Sequence, residues 1–299
     1  MSSSLRKFPP SVKLIILLSY LFLIALLSGM NSGTEAVNLS NTQTVIVMKI
    51  LQGVGVLLVL VLPALLFALF FTRDKMRSLG LNNAPELSSL ILGGAVMLAG
   101  MPLINLMKEV NDLMVLPSFM SGIEQWMKNS EGQAAKITEA FLGDTAVGGM
   151  LLNLVVIAFL AALSEEVFFR GVLQKTLFEY TRNIHAGVWI AAILFSAIHM
   201  QFYGFFPRMM MGVFLGYLFV WSGSLWLPIF AHFVNNGSAV IFSWLNKRGT
   251  LDFDPDSIGT GGHAIVVILL SALLVTVLVY FIYRTSLHDT LKARAPNAK

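Results

Sequence analysis

The sequence predicts an all-α, polytopic membrane bundle, and three observations carry that expectation. Of 299 residues, 56% are hydrophobic and only 12% are charged, the composition of a membrane protein and not of a water-soluble globule. Apolar windows close to the roughly 20 residues that cross about 30 Å of hydrocarbon recur along the whole length. These windows are rich in Leu, Val and Ala and lack the alternation of barrel strands; because lipid offers no hydrogen-bond partners, each span must then satisfy its own backbone as a helix.

Taken in order, eight spans are expected, at 14–30, 50–71, 90–107, 147–170, 186–200, 208–222, 225–245 and 264–283. The first follows Arg6, Lys7 and Lys13 and ends in "LLSGMNSG", a weak cleavage site, so it reads as a retained anchor. Between the third and fourth spans the chain is polar enough to leave the membrane. There Phe119, Ile123, Trp126 and Met127 recur at helical spacing, which predicts an amphipathic surface helix near 118–142. The loop from Lys247 to Gly262 holds Asp252, Asp254 and Asp256, but Pro255 breaks the calcium-loop pattern and a solvated loop is expected. Residues 285–299 read as a flexible tail. Nothing marks a second domain, so 1–299 is one membrane unit.

The net charge is +4, but the basic residues are scattered between spans without aromatic interleaving, which excludes a nucleic-acid surface. Most of the basic residues fall on one side if both termini are cytoplasmic, which is the expected orientation. Cysteine is absent, which excludes disulfides, thiolate nucleophiles and cysteine-bound metals.

Ionisable groups within spans are costly and usually face a protein interior or a wet cavity. Glu165, Glu166 and Arg170 form the first such group. Glu166 and Arg170 are four apart and can pair on one helix face, whereas Glu165 lies about 100° round the axis and is left over as a candidate general base. The plain alternative is that all three lie at the cytoplasmic end of the fourth span. His199 is the second, in the apolar "LFSAIHM"; by itself it reads as a core histidine. The third is "AHFVNNG", where His232 and Asn236 share a face while Asn235 points elsewhere. That pair can ligate a metal, donate to an oxyanion or bridge helices. At about 1.5 Å per residue, Glu165, His199 and His232 fall roughly 15, 22 and 13 Å deep, close enough to share one cavity.

Taken together, "EEVFFR" (Glu165 to Arg170), "FSAIH" (Phe195 to His199) and "HFVNN" (His232 to Asn236) resemble the three motifs of the CAAX-protease and bacteriocin-processing family of intramembrane endopeptidases. The resemblance covers about 147–245, read as a catalytic core. It implies peptide-bond hydrolysis in the membrane, with Glu165 activating water, Glu166 and Arg170 supporting it, and His199, His232 and Asn236 completing the site. Two chemistries stay open: Glu165, His199 and His232 ligating zinc, or Glu165 and His199 holding water while His232 and Asn236 donate to the oxyanion. The implied partners are membrane lipid and a hydrophobic or lipidated peptide, and the implied location is a prokaryotic plasma membrane. The competing readings are a non-catalytic immunity or scaffold protein, and a proton-coupled transporter, against which no inverted repeat of the polar pattern is seen. The phenylalanines and methionines of "MQFYGFFPRMMMGVF" (Met200 to Phe214) can line a groove for a lipidated or hydrophobic peptide, but helix packing is the favoured reading.

Overall fold

The computed structural model describes residues 7–30, 38–114, 116–251, 257–259 and 264–294. Among them every regular element is helical. In chain order these are α1 (Pro10–Met30), α2 (Thr42–Phe71), α3 (Lys75–Leu79), α4 (Leu87–Ala99), α5 (Met101–Asp112), α6 (Ser121–Leu142), α7 (Val147–Thr181), α8 (Ile184–Ala197), α9 (Phe205–Ser222), α10 (Trp226–Lys247) and α11 (Ala264–Arg294). Asp252, Asp254 and Asp256 lie outside the described residues. So do 295–299, while the backbone of 285–294 continues α11 as helix.

Local chemistry sets several boundaries. Asn41 caps α2 by accepting from the Thr44 N–H at 3.1 Å, and Asn183 caps α8 by accepting from His185 and Ala186, each satisfying amides that have no partner inside the helix. Gly223 ends α9 with a left-handed φ of 63°, a conformation that favours glycine.

The count of eight spans is not confirmed. Among the described residues five helices are long and apolar enough to cross a membrane, or six if the bent pair α4–α5 is one span. Two expected spans fall short for different reasons. α8 has 14 residues, about 21 Å of helix, less than the hydrocarbon thickness. α10 has 22 residues, but His232, Asn235 and Asn236 interrupt its apolar character. Both are the helices that bring polar groups to the cavity described below.

The bend between α4 and α5 is 44°. Gly100 joins them and Pro102 opens α5; proline lacks the N–H that would continue the ladder and its ring clashes with the preceding turn. The Ala99 carbonyl at the break is taken instead by Ser271 Oγ of α11 at 2.5 Å.

α7 is the central element and touches α1, α2, α8, α9 and α10. It is α-helical over Ala161–Phe168 but π-helical on either side, at Leu154–Leu160 and Phe169–Gln174. Such widened turns are rare and recur at functional sites. Phe168, Phe169 and Leu173 of α7 are fully buried against Leu17 of α1, Ala64 of α2 and Phe195 of α8. The surface helix α6 lies where the sequence put it. Phe119 just before it and Ile123 and Trp126 within it stay exposed, while Phe141 is buried and its carbonyl accepts from Asn153 Nδ2 of α7 at 2.9 Å.

Candidate active site

The two glutamates divide as their spacing requires. Glu166 is fully buried and takes Arg170 Nη1 at 2.6 Å on Oε1; the same oxygen accepts from His232 Nδ1 at 2.9 Å. Arg170 gives its other terminal nitrogen to the Gly212 carbonyl of α9 at 2.9 Å, and its guanidinium lies 4.7 Å from the centroid of the Phe195 ring. A buried charge is tolerated when it is paired and hydrogen-bonded; here Oε1 carries both contacts, while Oε2 is buried without a hydrogen-bond partner. Glu165, one residue earlier, faces a cavity of about 310 Å³ that also holds His199, His232, Asn235, Asn236 and Arg208.

Both histidines turn Nε2 to Glu165, for separate reasons. His199 lies just beyond the end of α8, not within it, and its Nδ1 is 2.8 Å from the Phe195 carbonyl. A carbonyl only accepts, so Nδ1 carries the proton, and one of the unpaired carbonyls of the helix end is satisfied. Nε2 then stands 3.9 Å from Glu165 Oε1. His232 is fixed by Glu166 at Nδ1, and its Nε2 stands 3.7 Å from Glu165 Oε2. Phe195 meets the two imidazoles edge-on, with ring centroids 5.1 and 6.0 Å away, so one aromatic ring wedges both. The gaps to Glu165 exceed the reach of a direct hydrogen bond and suit an intervening water.

On the far side, Asn235 Nδ2 donates to Asn236 Oδ1 at 3.1 Å, and Asn236 Nδ2 reaches the Ile157 carbonyl at a long 3.4 Å. The bond from Asn235 fixes Oδ1 as the accepting end of the Asn236 amide and leaves Nδ2 as its donor. Residues 147–238, which carry all of these groups, match the family described as type II CAAX prenyl endopeptidase Rce1-like. Over that segment the chain is similar to this family. Uncharacterized protein YpbD of Bacillus subtilis (strain 168) is 31% identical over 86 residues, 27% of this chain and 41% of that protein. The protein named "Putative membrane peptidase YdiL" of the same organism is 27% identical over 121 residues, 40% of this chain and 48% of that protein. The chain thus spans less than half the length of these curated relatives. No solved structure matches it.

The matched segment brings Glu165, Glu166, Arg170, His199, His232 and Asn236 to one place, and adds two residues that spacing did not single out. Asn235 does not point elsewhere: it lines the cavity beside Asn236, because 100° of rotation is too little to leave an opening this wide. Arg208 enters from α9 within the stretch read as packing.

Glu165, His199 and His232 stand farther apart than donors on a bound zinc would. Among the described residues no group of three or more His, Asp or Glu side chains is arranged to hold a metal ion. Tetrahedral zinc with bonds of about 2.0–2.1 Å draws two donors to roughly 3.3 Å from each other, closer than the 3.7 and 3.9 Å between these imidazoles and Glu165.

Proposed function

We propose that this chain is an intramembrane endopeptidase that hydrolyses a peptide bond of a hydrophobic or lipidated substrate, using water activated by Glu165. The observation that carries the reading is the convergence of two Nε2 atoms, each oriented by a different partner, on one carboxylate that has no ion pair of its own at hydrogen-bond distance. A water between Glu165 and His199 gives one hydrogen to each and keeps a lone pair for the scissile carbonyl carbon. As the O–C bond forms, Glu165 takes the water's proton and the carbonyl π pair moves to oxygen. Asn236 donates to that oxyanion, as does His232 when Nε2 carries a proton. Collapse re-forms the carbonyl and breaks the C–N bond, and Glu165 returns its proton to the leaving nitrogen. Glu166 and Arg170 position His232 and touch no substrate.

Ile104, Phe195, Pro207 and Met211 give the cavity an apolar wall, suited to a hydrophobic peptide. The proposed location is a prokaryotic plasma membrane with both termini cytoplasmic. The test uses purified wild type and Glu165→Gln in detergent, a panel of lipidated and unlipidated hydrophobic peptides with and without a chelator, and mass spectrometry of the fragments. Cleavage by wild type, unchanged by chelator and reduced at least about 100-fold in the variant, is expected from the size of general-base effects. Full activity in Glu165→Gln overturns the proposal.

A further inference from the structure

Arg208 is the one cavity cation that no motif supplies. Its Nη2 donates to Gln201 Oε1 at 2.6 Å, while Nη1 is buried and finds no hydrogen-bond partner. A buried N–H left without a partner is costly, and in a native site it asks for an acceptor that arrives later. The guanidinium is held over Gly204, where an added Cβ would come within 2.9 Å of Nη2. It lines the same cavity as Glu165 and His199.

Resting on the endopeptidase reading, we propose that Arg208 is a further catalytic residue: its free Nη1–H receives the oxyanion of the tetrahedral intermediate. Counting charge through the reaction gives the reason. With Glu166 matched by Arg170 and both imidazoles neutral, Glu165 and Arg208 are the opposite charges lining the cavity among the described residues. When water attacks, Glu165 takes a proton and becomes neutral, and the negative charge reappears on the carbonyl oxygen. A guanidinium in the same cavity compensates each state in turn, so the low-dielectric cavity carries no net charge at either stage. Nη1 has no competing partner to leave, and its hydrogen bond strengthens as the carbonyl oxygen gains negative charge, the condition under which an interaction lowers the barrier more than it tightens substrate binding.

The test compares wild type, Arg208→Gln, Arg208→Lys and Gly204→Ala, purified in detergent and matched for thermal unfolding, on a peptide that wild type cleaves. Two probes of that peptide accompany the kinetics: a phosphinate isostere, tetrahedral and anionic, and a ketomethylene isostere, neutral. Arg208→Gln is expected to lower kcat by about 10²–10³-fold with KM within about threefold, and to weaken the phosphinate by a similar factor while sparing the ketomethylene. Arg208→Lys restores part of the loss, since it keeps charge without the fork. Gly204→Ala, which displaces the guanidinium, lowers kcat in the same direction. Unchanged kcat, a raised KM at constant kcat, or equal weakening of both probes overturns the role of Arg208 and leaves the protease standing. If Arg208→Gln does not fold, Arg208→Lys with undiminished kcat and phosphinate affinity supports no need for the fork and overturns it equally. If wild type cleaves nothing in the panel and binds neither probe, both proposals fall.

Discussion

Glu166 Oε1 receives two donors, the Arg170 guanidinium at 2.6 Å and the His232 imidazole at 2.9 Å. Removing either charge of the pair strands the other away from water. Arg170→Met should therefore lower stability by about 3–5 kcal/mol, read as the loss of thermal unfolding midpoint in detergent. The double replacement Glu166→Gln with Arg170→Met should recover part of it, because no isolated charge remains; a double variant worse than the sum of the singles would contradict this account. Much at this scale was legible in the sequence. The four-residue spacing of Glu166 and Arg170 and the 100° offset of Glu165 follow from helix geometry alone. Arg208 was not, although its signal was present: an arginine among phenylalanines and methionines is as anomalous as the charges that were singled out. A Met and Phe stripe drew the reading away from the one residue in it that packing cannot explain.

Between single residues and the bundle lies the segment from His199 to Arg208, which forms one rim of the cavity. It is splinted from two sides. Asn111 of α5 donates to the Phe202 carbonyl at 2.9 Å and accepts from the Phe206 N–H at 2.8 Å, and Glu131 of α6 accepts from the Tyr203 N–H at 3.2 Å. Met200 within it holds φ at 55°, unfavourable for a side-chain-bearing residue, so its conformation is imposed by these neighbours. Asn111→Leu removes both bonds at once. Amide exchange across 200–206 should then speed by about ten- to a hundredfold, as two net hydrogen bonds of about 1 kcal/mol each imply; unchanged protection would mean that the rim is held elsewhere. No periodicity announces a contact between residues 91 apart in the chain. The sequence likewise put His199 inside a span, since no glycine or proline marks the end of α8, whereas its side chain caps that end.

For the whole molecule, the charge distribution predicts which side each loop faces, and the absence of cysteine makes the prediction simple to check. Arg73→Cys lies in an exposed turn before α3, and Asn129→Cys on the exposed face of α6. In intact cells an impermeant maleimide should label the second and spare the first until the membrane is opened. The reverse pattern would invert the orientation argued from the basic residues. The helical class was legible because hydrocarbon permits so few alternatives. The number of crossings was less so: α8 is apolar but short, and α10 is long enough but interrupted by polar residues where it meets the cavity.

The bend at Gly100 and Pro102 gives that cavity a mechanical dependence on a distant part of the chain. From Gly100 to Asn111 the helix is a lever of about 16 Å, and turning it through 44° carries its tip roughly 12 Å from the straight course. Asn111 rides on that tip. A straight helix would hold its two hydrogen-bonding atoms beyond reach of Phe202 and Phe206, so a ring closure in one proline side chain sets the position of a rim that the sequence writes a hundred residues later.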